Sequence, residues 1–91
     1  MTEYSGIPPH MREAARLYIE NGIPPGSFMT AVICNDLFGA LGKADELNRA
    51  MIWQWCNFFY NEAPAKCWGN REKMDAWVRG HGTQGASEAT A

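Results

Sequence analysis

One stretch constrains this chain more than any other. Residues 50–60 read A-M-I-W-Q-W-C-N-F-F-Y and contain only two polar side chains, Gln54 and Asn57. A surface helix of a small domain carries its apolar residues on a single stripe, whereas a helix drawn through this stretch is apolar on several sides. The sequence therefore predicts a central helix with neighbours around it, and it places Trp55 at the centre of the core.

The length of the chain, 91 residues, leaves room for one domain. A domain of this size buries only roughly 60–65% of the surface that its unfolded chain exposes, so its core must be built from large side chains. The composition supplies them, with 46% hydrophobic residues and four Trp. We expect an all-α fold, a compact bundle of about four helices around the central hydrophobic helix.

Helix boundaries follow from capping and stop signals. Prolines open the first helix, Gly22 supplies a left-handed cap, Asp45 and Glu46 favour a helix start, and Pro64 is a stop signal. The predicted helices cover residues 9–21, 28 to 38 or 40, 43–61 and 71–79. Residues 80–91 contain no large apolar side chain, which predicts a disordered tail after a single domain, 1–79.

Charge and cysteine usage restrict the compartment and the partners. A net charge of −2 indicates neither a basic surface that binds nucleic acid nor an acidic protein that mimics DNA. Three cysteines without a charged-then-apolar leader disfavour a secreted disulfide framework, and no apolar run approaches the ~20 residues of a membrane span. We expect a soluble protein of the host-cell cytoplasm that does not bind membranes.

The pair Asn35-Asp36 interrupts the otherwise apolar second helix. In one interpretation Asp36 lies on the solvent-facing side of that helix, or it pairs with Arg49 and so sets the angle of the hairpin formed by the second and third helices. The other combines the pair with the polar start of the third helix into a recognition patch, whose charges would inform partner choice more than stability. The residues of this candidate patch are Asn35, Asp36, Asp45, Asn48 and Arg49.

A second candidate surface lies on the central helix. Gln54 and Asn57 are three residues apart and share a face, where they either bond to turns that cross the helix or form a polar strip within an oligomer interface. Trp53 and Tyr60 flank them and belong to the residue types enriched at interface hot spots. Because the first and last helices are too narrow to cover the apolar second and third, we expect a two-fold homodimer in which Trp53 and Tyr60 take part.

Catalytic and metal-binding patterns are weak in this sequence. Cys67, beside Lys66, is the best placed thiol, but the only histidines lie at positions 10 and 81, and neither is a neighbour of it in sequence. Cys34 and Cys56 are interpreted as small core residues. The chain has no zinc-ligand spacing and no glycine-rich phosphate loop. We therefore expect a protein that is not an enzyme and that uses neither a metal nor a cofactor.

Two segments carry a resemblance, G-I-P-P-G-S-F-M-T-A-V-I-C-N-D-L-F-G-A-L-G-K-A-D-E-L-N-R-A and F-F-Y-N-E-A-P-A-K-C-W-G-N-R-E-K. With them the chain, from Ile7 to about Arg79, resembles a group of small proteins encoded by phages, prophages and plasmids. The resemblance implies a setting rather than an activity. Small helical proteins in such accessory regions act by binding a host protein or a signalling molecule.

Two functions are expected from these observations. The first is a non-enzymatic binding protein that engages a host macromolecule, to inhibit a defence system in the manner of an anti-CRISPR protein or to inhibit a regulatory system. The alternative is an oligomeric sponge for a nucleotide-like signal, with aromatic rings on the base and Arg49, Arg71 or Lys73 near phosphates. Binding of nucleic acid through a helix-turn-helix is disfavoured, because the third helix exposes Asp45 and Glu46 beside a single Arg.

Overall fold

The computed structural model describes the backbone of residues 2–90 and the side chains of residues 2–81. Within them the chain forms six α-helices and no strand, so the predicted all-α class is confirmed. Two 3₁₀ turns, Pro9–Met11 and Ala65–Cys67, precede the first and last helices. The helices are α1 (Arg12–Asn21), α2 (Ser27–Ile33), α3 (Leu37–Lys43), α4 (Glu46–Ala50), α5 (Ile52–Asn61) and α6 (Arg71–Thr90).

Helix α5 is the centre of the fold, as the sequence predicts. Trp55, Phe58 and Phe59 are buried along its inner side. The Trp55 ring meets Phe28 of α2 edge-on at a centroid distance of 5.3 Å and stacks near Phe59 at 6.2 Å. Offset and edge-to-face contacts of this kind add to the stabilisation from burial, so the core is organised around one indole.

The second predicted helix is two helices, which corrects the single helix expected over residues 28 to 38 or 40. Helix α2 is followed by a left-handed residue, Asn35, with φ of 63°. The N–H groups of Asn35 and Asp36 bond back to Val32 and Ala31, the paired bonds of a Schellman ending. Asp36 then caps α3 by accepting from the Gly39 N–H at 3.0 Å. Asn tolerates the left-handed conformation and Asp is a strong N-cap. The pair Asn35-Asp36 therefore forms the turn between α2 and α3.

The third predicted helix is also divided, which corrects the continuous helix expected over 43–61. Asp45 precedes α4 as its N-cap and accepts from the Asn48 N–H at 2.7 Å. Met51, with φ of −109° and ψ of 27°, separates α4 from α5. The buried Asn48 side chain accepts from the Trp55 indole across this junction. The break between α4 and α5 is thus accompanied by the contact between Asn48 and Trp55, which the spacing of apolar residues in the sequence does not reveal.

Helix α6 and the turn before it close the core against α1. The Tyr18 hydroxyl donates to the backbone oxygen of the buried Cys67, and the Trp77 indole donates to the Tyr18 carbonyl at 3.1 Å. Asn70 caps α6 by accepting from the Lys73 N–H. These bonds attach the last helix to the first.

The predicted tail begins inside α6. His81 lies with its ring 4.6 Å from that of Trp77. It also sits against Gly22, whose φ of 66° is the predicted left-handed cap of α1. The predicted disordered tail covers residues 80–91, and of these the structure describes the side chains of Gly80 and His81 only. The rest of the prediction concerns residues 82–91, which lie outside the described part of the chain.

Candidate functional site

A notch lies on the outer side of α5, with a volume of about 330 Å³. Trp53 and Tyr60 stand at its two ends, two helical turns or ~10.5 Å apart along the axis. Cys56 and Asn57, both exposed, form the floor between them. The notch is thus a slot between two aromatic side chains with short residues at its base.

The position of the notch follows from the composition of α5. Its inner side is occupied by Trp55, Phe58 and Phe59, so the residues of the opposite stripe are left outside although two of them are aromatic. Trp53 is 69% exposed and Tyr60 is 75% exposed. Large exposed rings framing one depression are typical of an interaction surface rather than of scattered surface residues.

The other wall of the notch comes from the two turns that pack beside α5. Asn35, in its left-handed conformation, and Val32 contribute from the end of α2. Trp68 contributes from the turn before α6, with its ring centroid 6.1 Å from that of Tyr60. The Gly69 N–H donates to the Ile33 carbonyl at 2.7 Å and holds the two turns together. Trp68 therefore packs beside α5.

The lining of the notch is uncharged. It combines aromatic and aliphatic side chains with the amides of Asn35, Asn57 and Asn61. The Asn61 amide nitrogen donates to the Asn57 side-chain oxygen at 2.6 Å, which leaves the remaining donors and acceptors of these two amides available. The Trp68 indole N–H is buried and has no hydrogen-bond partner among the described residues. Such a lining accepts an apolar or aromatic group with a few polar contacts at its edge.

A second, shallower depression continues the notch toward α3. It shares Val32, Asn35 and Cys56 with the notch and adds Leu37, which is 54% exposed. Asp36 lies at this edge, with its carboxylate turned to the Gly39 N–H. The apolar surface therefore extends beyond the two aromatic ends.

The predicted site residues separate into two groups. Asn35, Trp53 and Tyr60 line the notch, and Asp36 lies beside it. Asp45 caps α4 and contacts the His10 ring at 3.0 Å, while Arg49 is exposed and donates to the Ala44 carbonyl at 3.4 Å. No ion pair joins Asp36 to Arg49 among the described residues.

The position of Asn48 contradicts its predicted place in the polar recognition patch. Its side chain is buried and accepts from the Trp55 indole, so it is a structural residue of the core and not a surface contact. Asp45 and Arg49 are exposed, but they do not line the notch. Asn48 is therefore not available to the five-residue recognition patch expected from the sequence.

Cys56 is the residue that sequence reasoning missed. The sequence predicts that Cys56 is a core residue. This prediction is wrong, because Cys56 is exposed at the floor of the notch. The available signal was its spacing, three residues after Trp53 and four before Tyr60, which places all three on one helical stripe. That signal is ambiguous in a helix that is apolar on several sides.

Two of the three cysteines, Cys34 and Cys67, lack the character of a nucleophile. Burial raises the pKa of the Cys67 thiol to about 12, and burial also raises the pKa of the Cys34 thiol. Both thiols therefore stay protonated at neutral pH, the opposite of what a nucleophile needs. In the described part of the chain, no three His, Cys, Asp or Glu side chains converge as metal ligands.

The chain was compared with family models, curated proteins and solved structures. None of them matches it. The candidate site is therefore identified from the geometry and chemistry of its own residues alone. Among the described helices, none combines the length and the apolar character that a bilayer crossing requires.

Proposed function

We propose that this chain is a non-enzymatic binding protein that attaches to a macromolecular partner through the notch. The observation that carries the proposal is the pair of exposed rings, Trp53 and Tyr60, at the ends of an uncharged slot. Binding energy at protein interfaces concentrates in a few Trp, Tyr and Arg residues around pockets that exclude water. A slot of this size receives one large apolar side chain of a partner.

The amides that line the notch give this contact its orientation. Asn35 in the wall and Asn57 in the floor present donors and acceptors beside apolar side chains, so a partner whose backbone crosses the slot can bond to them while its side chain is buried. Buried polar groups left unpaired cost about 1–3 kcal/mol each. The amides therefore discriminate between partners that satisfy them and apolar surfaces that do not.

The alternative function, an oligomeric sponge for a nucleotide-like signal, is less well supported. The rings suit a base, but Arg49, Arg71 and Lys73 do not line the notch. Arg71 lies with Lys43 in a separate polar depression. A phosphorylated ligand in the notch would meet uncharged amides where charge-assisted bonds are needed.

The biological setting that we propose comes from the resemblance to proteins of phages, prophages and plasmids. In that setting the partner is a protein or protein complex of the host cytoplasm, and binding inhibits a defence system, as anti-CRISPR proteins do, or a regulatory system. A fold alone does not establish such a role, so the proposal stands on binding through the notch.

Affinity capture with matched variants tests this function. The wild-type protein and the Trp53→Ser and Tyr60→Ser variants are immobilised and exposed to extract of the host cells, and bound proteins are quantified. Phe38→Ser is the control, because Phe38 is 86% exposed but does not line the notch. We expect one protein to be retained by the wild type and the control and lost with both notch variants. Equal recovery by all four proteins contradicts the proposal.

A native mass spectrum of the purified protein tests the alternative. The spectrum shows a retained small ligand as added mass on each oligomer. We expect no such mass for a protein-binding notch. A retained nucleotide-like mass that disappears in Trp53→Ser replaces the first function with the sponge.

A further inference from the structure

We infer that the notch is also a self-association surface, on which a second copy of this chain packs its α5 antiparallel to the first across a two-fold axis. The inference goes beyond the proposed function, since it names a second occupant for the same face. It rests on the placement of Trp53, Cys56, Asn57 and Tyr60 along one exposed stripe of α5.

The stripe has the spacing that a two-fold axis requires. The midpoint between Trp53 and Tyr60 falls between Cys56 and Asn57. When two copies of α5 run antiparallel through that midpoint, Trp53 of each copy faces Tyr60 of the other, and Cys56 of each copy faces Asn57 of the other. A two-fold interface uses the same patch on both copies, and here large residues meet large ones while short residues meet at the crossing.

Charge favours a second copy as the occupant. At a two-fold axis each group lies near its own counterpart, so a charged residue there would face its like. Among the described residues, the nine that line the notch include no acidic or basic side chain, although the whole chain carries a net charge of −2. The absence of charge from this face removes the repulsion that would oppose pairing of identical copies.

The short residues at the crossing allow the helices to approach closely. Packed helices lie about 8–10 Å apart, and each Cα lies about 2.3 Å from its helix axis. Cys56 and Asn57 lie on either side of the line that joins the two axes, so the Cα atoms of the two Cys56 residues come within roughly 5–7 Å of each other. A disulfide needs Cα atoms about 4.4–6.8 Å apart. Cys56 of one copy is therefore within bonding reach of Cys56 of the other, whereas the buried Cys67 is not accessible.

The size of the face sets the strength of the contact. With 69% and 75% of their surfaces exposed, Trp53 and Tyr60 contribute roughly 200–350 Å² per copy, against about 800 Å² per partner in a standard interface. Leu37 and the neighbouring amides extend the contact but do not make it large. We therefore expect a reversible dimer that forms at micromolar concentration and that competes with a heterologous partner for the notch.

Sedimentation velocity tests the inference. The wild-type protein is measured from roughly 1 to 200 µM under reducing conditions, a range that covers micromolar dissociation constants. We expect the mass to rise from one chain to two. Trp53→Glu and Tyr60→Glu, both at exposed positions, should remain folded monomers by circular dichroism. Ile23→Glu, a change at an exposed apolar residue outside the notch, should still dimerise.

Oxidation provides the second readout. Diamide, an oxidant that converts two thiols into a disulfide and is itself reduced to the hydrazine, should link two chains through Cys56. The link should be absent in Cys56→Ser, which remains a dimer in sedimentation. A monomeric wild type, a dimer that survives both Glu variants, or a link that persists in Cys56→Ser overturns the inference. None of these outcomes affects the capture assay, which measures recovery of a different protein.

Discussion

The indole N–H of Trp55 donates to the side-chain oxygen of Asn48 across 3.1 Å, and both residues are buried. The bond spans the junction at Met51 and attaches α4 to the central helix. Without it, the N–H of the most central side chain in the core would have no partner. Asn48 therefore contributes to the fold through one specific contact.

Replacing Asn48 with Leu should lower the free energy of unfolding by about 1–3 kcal/mol, because a buried donor is left without an acceptor. Urea denaturation followed by tryptophan fluorescence measures the change. Asn61→Ala is the control, since it removes an exposed amide and its bond to Asn57, and it should change stability by less than about 0.5 kcal/mol. Equal effects from the two variants would show that the Asn48 contact contributes nothing specific.

Trp55→Ala and Trp53→Ala form a matched pair two residues apart on α5. The first should cost ~3–5 kcal/mol, since it empties the centre of the core, a large share of the ~5–15 kcal/mol that a domain possesses. The second should leave stability within about 0.5 kcal/mol, because Trp53 is mostly exposed. Chemical denaturation of both variants decides the orientation of α5, and the reverse order of effects would mean that the helix is turned the other way.

Gly39→Ala tests the cap that divides the second predicted helix. A Cβ at this position would collide with the carboxylate of Asp36, so the cap bond should be lost at a cost of about 0.5–2 kcal/mol. Gly42→Ala is the control in the same helix, because a Cβ there meets no atom, and it should be neutral or stabilise by up to about 1 kcal/mol. Thermal unfolding of the two variants should therefore shift in opposite directions, and a stabilised Gly39→Ala would refute the cap.

Alkaline pH should destabilise the fold through Cys67. Burial raises the pKa of its thiol to about 12, from an ordinary value of 9.0. Below pH 9 the thiol is protonated in both the folded and the unfolded chain. Above it only the unfolded chain loses the proton, so the free energy of unfolding should fall as pH rises from 9 toward 12, by up to ~1.4 kcal/mol per pH unit for this group.

Denaturation at several pH values between 8 and 10 measures this slope. The window lies mostly below the range in which Tyr18, whose pKa burial also raises, adds its own contribution. Cys34, whose pKa burial also raises, contributes in the same window, so Cys67→Ala should reduce the slope without abolishing it, even if it lowers stability at every pH. An unchanged slope in that variant would show that the Cys67 thiol ionises equally in both states.

The sequence predicts those features of the fold that depend on bulk apolar content. The helical class, the central position of α5 and the burial of Trp55 all follow from a stretch with two polar side chains. Trp53 and Tyr60, which the sequence places at an interface between copies, are exposed, because the short helices cannot cover every side of such a stretch. These outcomes depend on how much apolar surface exists, which composition and spacing report directly.

The features that could not be predicted depend on single contacts between distant residues. Asn35 and Asp36 are compatible with a helix interior as well as with a turn, and the backbone bonds to Ala31 and Val32 select the turn. Asn48 looks like a surface amide until Trp55 is placed against it. Cys56 looks like a core residue because its own helix is apolar on several sides. In each case the tertiary neighbour decides, and local pattern does not reveal that neighbour.

Titration of the purified partner recovered by affinity capture measures most directly whether the notch is the binding site. Calorimetry with wild-type protein, Trp53→Ala and Phe38→Ala compares an aromatic residue of the notch with a more exposed one outside it. A hot-spot residue contributes at least about 2 kcal/mol, or roughly thirty-fold in the dissociation constant. We predict a loss of that size for Trp53→Ala and a change of less than about threefold for Phe38→Ala. Equal affinities for the wild type and Trp53→Ala would contradict binding through the notch.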